Sequence, residues 1–132
     1  MIEHDREFAE DLLAVWSPPG RVRLATTSRE ALAAVVEDRP DLVLLGTHLP
    51  HDLAEVDEEE GFRLLTCIRS ELGRRTPVLL MARERTEATI RRATAMGADD
   101  VLLRPVEVAT LERLVARLVP GVRGSPLAPP GS

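Results

Sequence analysis

The stretch "PDLVLLGTHLP", residues 40–50, decides how the rest of the chain is read. Its apolar run "DLVLL" is too short for a helix and has no alternation, as expected of a strand covered on both faces. Gly46 then Thr47 lead it into a turn. Strands of that kind belong to parallel sheets, and parallel strands need helical crossovers on either side.

Working outward, the pattern alternates as this requires. Upstream, "REFAEDLLAVW" carries Phe8, Leu12, Leu13 and Trp16 at helical spacing, and "SPPG" stops that helix. "RVRLAT" alternates Val22 and Leu24 with arginines, as a half-exposed strand does. Ser28 is expected to cap a helix whose Leu32, Val35 and Val36 form an apolar stripe. Downstream, "EGFRLLTCIRSEL" predicts a helix with Phe62, Leu65, Ile68 and Leu72 inward, and "TPVLLMA" a second buried strand. "TEATIRRATAM" predicts a helix ended by Gly97, "DVLL" a short strand, and "EVATLERLVARLV" an amphipathic helix with Leu111, Leu114, Val115 and Leu118 on one face. Only "MIE" precedes the first helix, although the first strand of a doubly wound sheet is usually central, so either the first strand is truncated at the chain start or the sheet is short there and completed by another chain.

The 132 residues suffice for one domain, read as 1–119, followed by a flexible Pro/Gly-rich tail or linker at 120–132. Hydrophobic residues make up 44% and net charge is −5, so a packed core is available. With no basic stripe and 2% aromatics, nucleic-acid binding by this domain is not expected. No run approaches a membrane span, and the acidic start is wrong for a signal peptide. A single cysteine, Cys67, fits a reducing cytoplasm and reads as a small packing residue. All 17 basic residues are arginine, which excludes any mechanism needing a lysine.

With "PDLVLLGTHLP", "TPVLLMA" and "MGADDVLLRPV" in this order, the chain resembles the receiver domain of bacterial response regulators over roughly residues 1–119. The resemblance implies a flavodoxin-like (βα)5 fold with a doubly wound parallel sheet in the order 2-1-3-4-5. It further implies an acidic pair after the first strand and an aspartate ending the third, which hold Mg²⁺, the aspartate accepting a phosphoryl group. A hydroxyl residue and a lysine complete the family's set. Residue by residue, the acidic pair falls on Glu3 and His4, the acceptor on Gly46, the hydroxyl on Ala82, an aromatic switch position on Val101 and the lysine on Arg104. Pro50 and Pro105 keep the family pattern, which implies a cis bond before Pro105.

The expectation is a degenerate pseudo-receiver: not an enzyme, needing no cofactor, acting as a phosphorylation-independent interaction module in signalling or transcriptional control. Its partner is expected to be another protein or a fused output domain. In the family the fourth helix, fifth strand and fifth helix form a common dimerisation face, to which Arg85, Arg91, Arg92, Glu112 and Arg113 are assigned. Alternatives remain open at this point. Thr47 or Asp52 could serve as a displaced acceptor, and the emptied crevice at the strand ends could hold an apolar or planar ligand. The acidic loop "HDLAEVDEEE", longer than the family's turn, reads as a solvated charge run, with partner binding or Mg²⁺ ligation by Asp52, Asp57 or Glu58 as the sharper readings. His4, His48 and His51 fall on neighbouring loops, but their spacing matches no zinc signature.

Overall fold

A computed structural model describes residues 1–16, 23–51 and 55–119. The tail expected at 120–132, the "SPPG" stop, Val22 and Asp52 lie outside the described residues. Helices α1 (Arg6–Val15), α2 (Ser28–Asp38), α3 (Glu60–Leu72), α4 (Glu87–Met96) and α5 (Val108–Leu118) surround strands β1 (Val43–Gly46), β2 (Val78–Ala82) and β3 (Asp100–Leu103).

All strand pairs are parallel, with Leu45 beside Leu80 and Leu80 beside Val101. Ile2 continues the sheet beyond β1, forming parallel bridges to Leu45 on one side and Ala25 on the other. The order across the sheet is therefore Ala25, Ile2, β1, β2, β3, which is the 2-1-3-4-5 order with its first two positions held, among the described residues, by the bridges of Ile2 and Ala25. "MIE" is short but fully engaged. Ile2 donates to the Leu44 carbonyl at 2.7 Å and accepts from Gly46 at 2.8 Å, while Glu3 donates to Ala25 at 2.9 Å. Of the strand expected in "RVRLAT", the described residues 23–26 carry the bridge at Ala25.

Alternation along the strands divides the core into two. Val43, Leu45, Val78, Leu80 and Val101 face α2, α3 and α4, meeting Ala31, Val35, Leu65, Ile68 and Ala93. Leu44, Leu79, Met81 and Leu102 face α1 and α5, meeting Leu12, Trp16, Leu111, Leu114 and Val115. Each fully buried leucine contributes about 1.5–3 kcal/mol relative to exposure, so the continuous apolar runs of β1 and β2 anchor the sheet.

Three details depart from the sequence reading. Thr27, not Ser28, caps α2: its extended backbone aims the hydroxyl at the Glu30 amide, 3.1 Å away. Ser28 is already helical and buried, its amide donating to the Pro50 carbonyl at 3.0 Å. Val36 is 50% exposed, because the inward stripe of α2 runs through Ser28, Ala31 and Val35 instead. Cys67 is exposed, because α3 turns Phe62, Leu64, Leu65 and Ile68 inward and leaves position 67 outside.

Candidate functional site

The strand ends converge on one buried carboxylate. Glu3 follows the Ile2 bridge into the interior, and its side chain is completely buried. Its Oε2 accepts the Asp5 amide at 3.0 Å and lies 3.3 Å from both the Arg104 guanidinium and Nδ1 of His4. Its Oε1 has no hydrogen-bond partner. Burial pushes the Glu3 carboxyl above its ordinary value, against the opposing pull of the Asp5 amide and Arg104.

Gly46 sits directly against this group. A Cβ on Gly46 would fall 2.6 Å from Glu3 Oε1 and 3.4 Å from the Ile2 carbonyl oxygen. The close approach continues into α3, where a Cβ on Gly61 would lie 2.3 Å from the Gly46 carbonyl and 2.5 Å from Thr47 Cα. Gly61 donates to the Thr47 carbonyl at 2.9 Å, so the start of α3 is clamped to the end of β1. Glycine at 61 is what allows that contact.

Arg104 arrives from the other side. Its amide donates to the Ala82 carbonyl at 2.9 Å, it precedes a cis bond to Pro105, and its guanidinium lies 4.2 Å from the Phe8 ring centre. Asp5 Oδ2 stands 3.9 Å from the same guanidinium. Ala82 is buried and offers no hydroxyl, while buried Val101 gives its carbonyl to Arg85. The structure thus brings Glu3, His4, Gly46 and Arg104 together, with Ala82 one hydrogen bond away. Val101 is turned into the core.

The histidines divide. His4 Nδ1 lies 2.8 Å from the His48 carbonyl, which can only accept, so that nitrogen carries the hydrogen. His48 Nδ1 meets the Thr47 hydroxyl at 2.7 Å, and burial, followed by the charge of Arg83, lowers its pKa. His51 belongs to a separate cluster, with Nδ1 3.1 Å from the Ser28 hydroxyl and 3.3 Å from Glu60. Among the described residues no three His, Cys, Asp or Glu converge as a metal site. Nor do the strand-end residues fit the family's Mg²⁺, which demands several oxygen ligands. Two carboxylates are near: buried Glu3, its Oε2 already held by a guanidinium and an amide, and exposed Asp5, its Oδ2 3.9 Å from the same guanidinium; beside them stand only an imidazole and a glycine.

The described part of the acidic loop is organised by arginines. Leu49 and Asp57 form an antiparallel bridge, Asp57 accepts the Glu59 amide at 2.8 Å, and Arg63 pairs with Asp57 and Glu60. Burial tends to raise the Glu60 carboxyl, but Ser28, Arg63 and His51 outweigh it and hold it low.

The residues assigned to an interaction face also separate. Arg85 and Arg113 line a groove of about 550 Å³ along β3, with Asp100, Leu103 and Glu107. Arg92 turns toward α3 instead, pairing with Glu59 and stacking 3.8 Å from the Phe62 ring centre. Arg91 pairs along its own helix with Glu87 at 2.7 Å, and Glu112 is exposed on α5. Sequence reasoning missed Arg69, which donates to the Gly97 carbonyl at 2.7 Å and the Gly73 carbonyl at 2.8 Å and pairs with Asp99 at 2.9 Å. Nothing in its helical pattern distinguishes it from a surface arginine.

A family model described as "Response regulator receiver domain" matches residues 4–116. A protein-glutamate methylesterase/protein-glutamine glutaminase 2 of Anaeromyxobacter dehalogenans is 32% identical, the match covering 93% of this chain and 36% of that protein. The response regulator MprA of Mycolicibacterium vanbaalenii is 33% identical, with 89% of this chain and 47% of that protein covered. The chain thus spans between about a third and a half of these relatives. A two-component response regulator structure from Clostridium difficile superimposes with a TM-score of 0.76 at 22% identity, covering 91% of this chain and 93% of that one. No helix among the described residues is long and apolar enough to cross a membrane.

Proposed function

The chain belongs to the response regulator receiver domain family, and from that premise we propose that this member works without phosphotransfer, as a cytoplasmic interaction module in signal transduction or transcriptional control. Receiver domains of bacterial two-component systems act on fused output domains or partner proteins. One observation carries the reading: where the resemblance places the acceptor there is Gly46, and the adjoining space holds the buried carboxylate of Glu3 paired with Arg104. In-line phosphoryl transfer needs a nucleophile and a metal held in register, and these residues supply neither. Glu3, His4, Gly46, Ala82, Val101 and Arg104 are the degenerate set in this proposal, and the folded unit is 1–119.

The test is incubation with acetyl phosphate and Mg²⁺ followed by intact-mass measurement. The expected spectrum is unchanged. A stoichiometric phosphoryl adduct, on Thr47 or any other residue, would overturn the reading.

The partner surface we favour is the groove along β3. Leu103 is 48% exposed there, in a lining that also holds Arg85, Arg113, Asp100 and Glu107. An apolar centre with charges of both signs around it suits a second copy of the chain. Sedimentation of the native chain and of a Leu103→Glu variant tests this. A concentration-dependent dimer lost in the variant is expected, and a monomer at every concentration would remove the surface from consideration. Arg92 and Arg91 fall outside it.

A further inference from the structure

We propose that Glu3 is the site's built-in plug: its carboxylate occupies the space beside Gly46, and the Arg104 guanidinium supplies the counter-charge a cation would otherwise provide. The inference rests on the reading of Gly46 as the vacated acceptor position and says what filled it.

The geometry is specific about cause. Glu3 Oε1 is buried and unpartnered, an arrangement that costs free energy and is uncommon in folded proteins. It persists here because Oε2 is held by the Asp5 amide, His4 and Arg104, which leaves the second oxygen aimed at Gly46. The space it points into is where a side chain at position 46 would begin, since a Cβ there would stand 2.6 Å from it. Glu3 and Gly46 are therefore sterically matched. Any side chain at 46 requires a shorter one, or a displaced one, at 3.

Arg104 completes the plug. Phe8 stacks on its guanidinium, its amide is tied to Ala82, and Oε2 of Glu3 lies 3.3 Å away. The turn between β3 and α5 is thereby held to the start of the chain by residues that are always present. In this member the position of that turn is set by the sequence and not by an incoming phosphoryl group.

A double-mutant cycle followed by Trp16 fluorescence in urea tests the match. Gly46→Ala should lower the folding equilibrium constant at least tenfold in the native background. It should also do so with Glu3→Gln, which keeps the length. With Glu3→Asp or Glu3→Ala, the same change should alter it less than threefold. Equal penalties in all backgrounds would overturn the proposal. The two shortened variants are independent, so failure of one to fold leaves the other to decide.

Calorimetric Mg²⁺ titration supplies a second readout. Glu3→Asp/Gly46→Asp should bind at least tenfold more tightly than Gly46→Asp alone, and equal affinity counts against the plug. Phosphorylation of the native chain by acetyl phosphate would defeat the proposed function whatever the cycle gives. An additive cycle in an unphosphorylated native chain would defeat the plug alone.

Discussion

Glutamate and arginine pair in two contrasting settings in this molecule. At the strand ends, Glu3 is wholly buried and Arg104 has a side chain 14% exposed. On the outer face of α3 and α4, Arg92 and Glu59 are each 45% exposed, and Arg91 and Glu87 more so. The chemistry of the partners is the same, but the solvent around them is not. In water, an exposed pair gains little over its separated charges. In the interior, a charge left without its partner is expensive, because neither water nor another group replaces it. The difference shows which arginines the fold depends on.

The largest effect should come from the backbone beneath the buried pair. A Cβ on Gly61 meets carbonyl and Cα atoms of Gly46 and Thr47, which cannot swing aside as a side chain can. Gly61→Ala should therefore cost roughly 3 kcal/mol or more in urea unfolding. A loss below about 1 kcal/mol would mean that the end of β1 yields readily, weakening the case for a tightly packed site.

That effect marks the limit of what was legible in the sequence. β1 and β2 could be read from continuous apolar runs, and α3 and α5 from their periodicity, because burial writes itself into composition. The positions of Glu3, Gly46 and Arg104 followed from order and spacing along the resemblance. Their mutual contact did not, since it joins segments far apart in the chain. Arg104 and Arg69 look like any other arginine in sequence, and only the carboxylate and carbonyls they meet separate them from Arg91. Val36 and Cys67 were misplaced for a related reason: helical spacing gives a stripe, but the neighbouring element decides where the stripe is centred.

Next in size is removal of the buried counter-charge. Arg104→Met keeps apolar contact with Phe8 and deletes the cation facing Glu3. The expected loss is about 2–3 kcal/mol at pH 7, below the range for fully enclosed pairs because the guanidinium keeps some solvent. Glu3→Gln/Arg104→Met should recover part of it. No recovery would show that the arginine acts through packing alone.

The pH dependence is a finer test. The pKa of Glu3 lies above its ordinary 4.5, so the folded chain holds that proton more tightly than the unfolded chain does. Its contribution is fully present below the unfolded value and is lost as pH rises through the folded one. Relative to Glu3→Gln, the native chain should be most stable in acid and lose ground as pH climbs from about 4.5 upward. Asp57, Glu59 and Glu60 have the opposite sign, with pKa values held low and stability lost on acidification. Comparing the native chain with the single variant cancels their contribution, leaving Glu3 as the source of the difference. A difference that grows in the native chain's favour with rising pH would reverse the assignment of burial as the dominant influence.

The smallest effect is expected at the exposed pair on α4. Arg91 and Glu87 form a one-turn pair at 2.7 Å on α4, with side chains 73% and 89% exposed. A short distance in such a place says little about energy, because both groups are hydrated whether or not they touch. Arg91→Ala should leave the urea midpoint unchanged within error, at low salt and at high salt alike. Arg92→Ala should differ from it modestly, since its guanidinium also covers the Phe62 ring, 3.8 Å from the centroid. That increment should survive high salt if it comes from covering the ring and disappear if it comes from Glu59. Equal losses for Arg91→Ala and Arg104→Met would end the distinction between the two settings. Burial would then no longer explain which arginines the fold depends on.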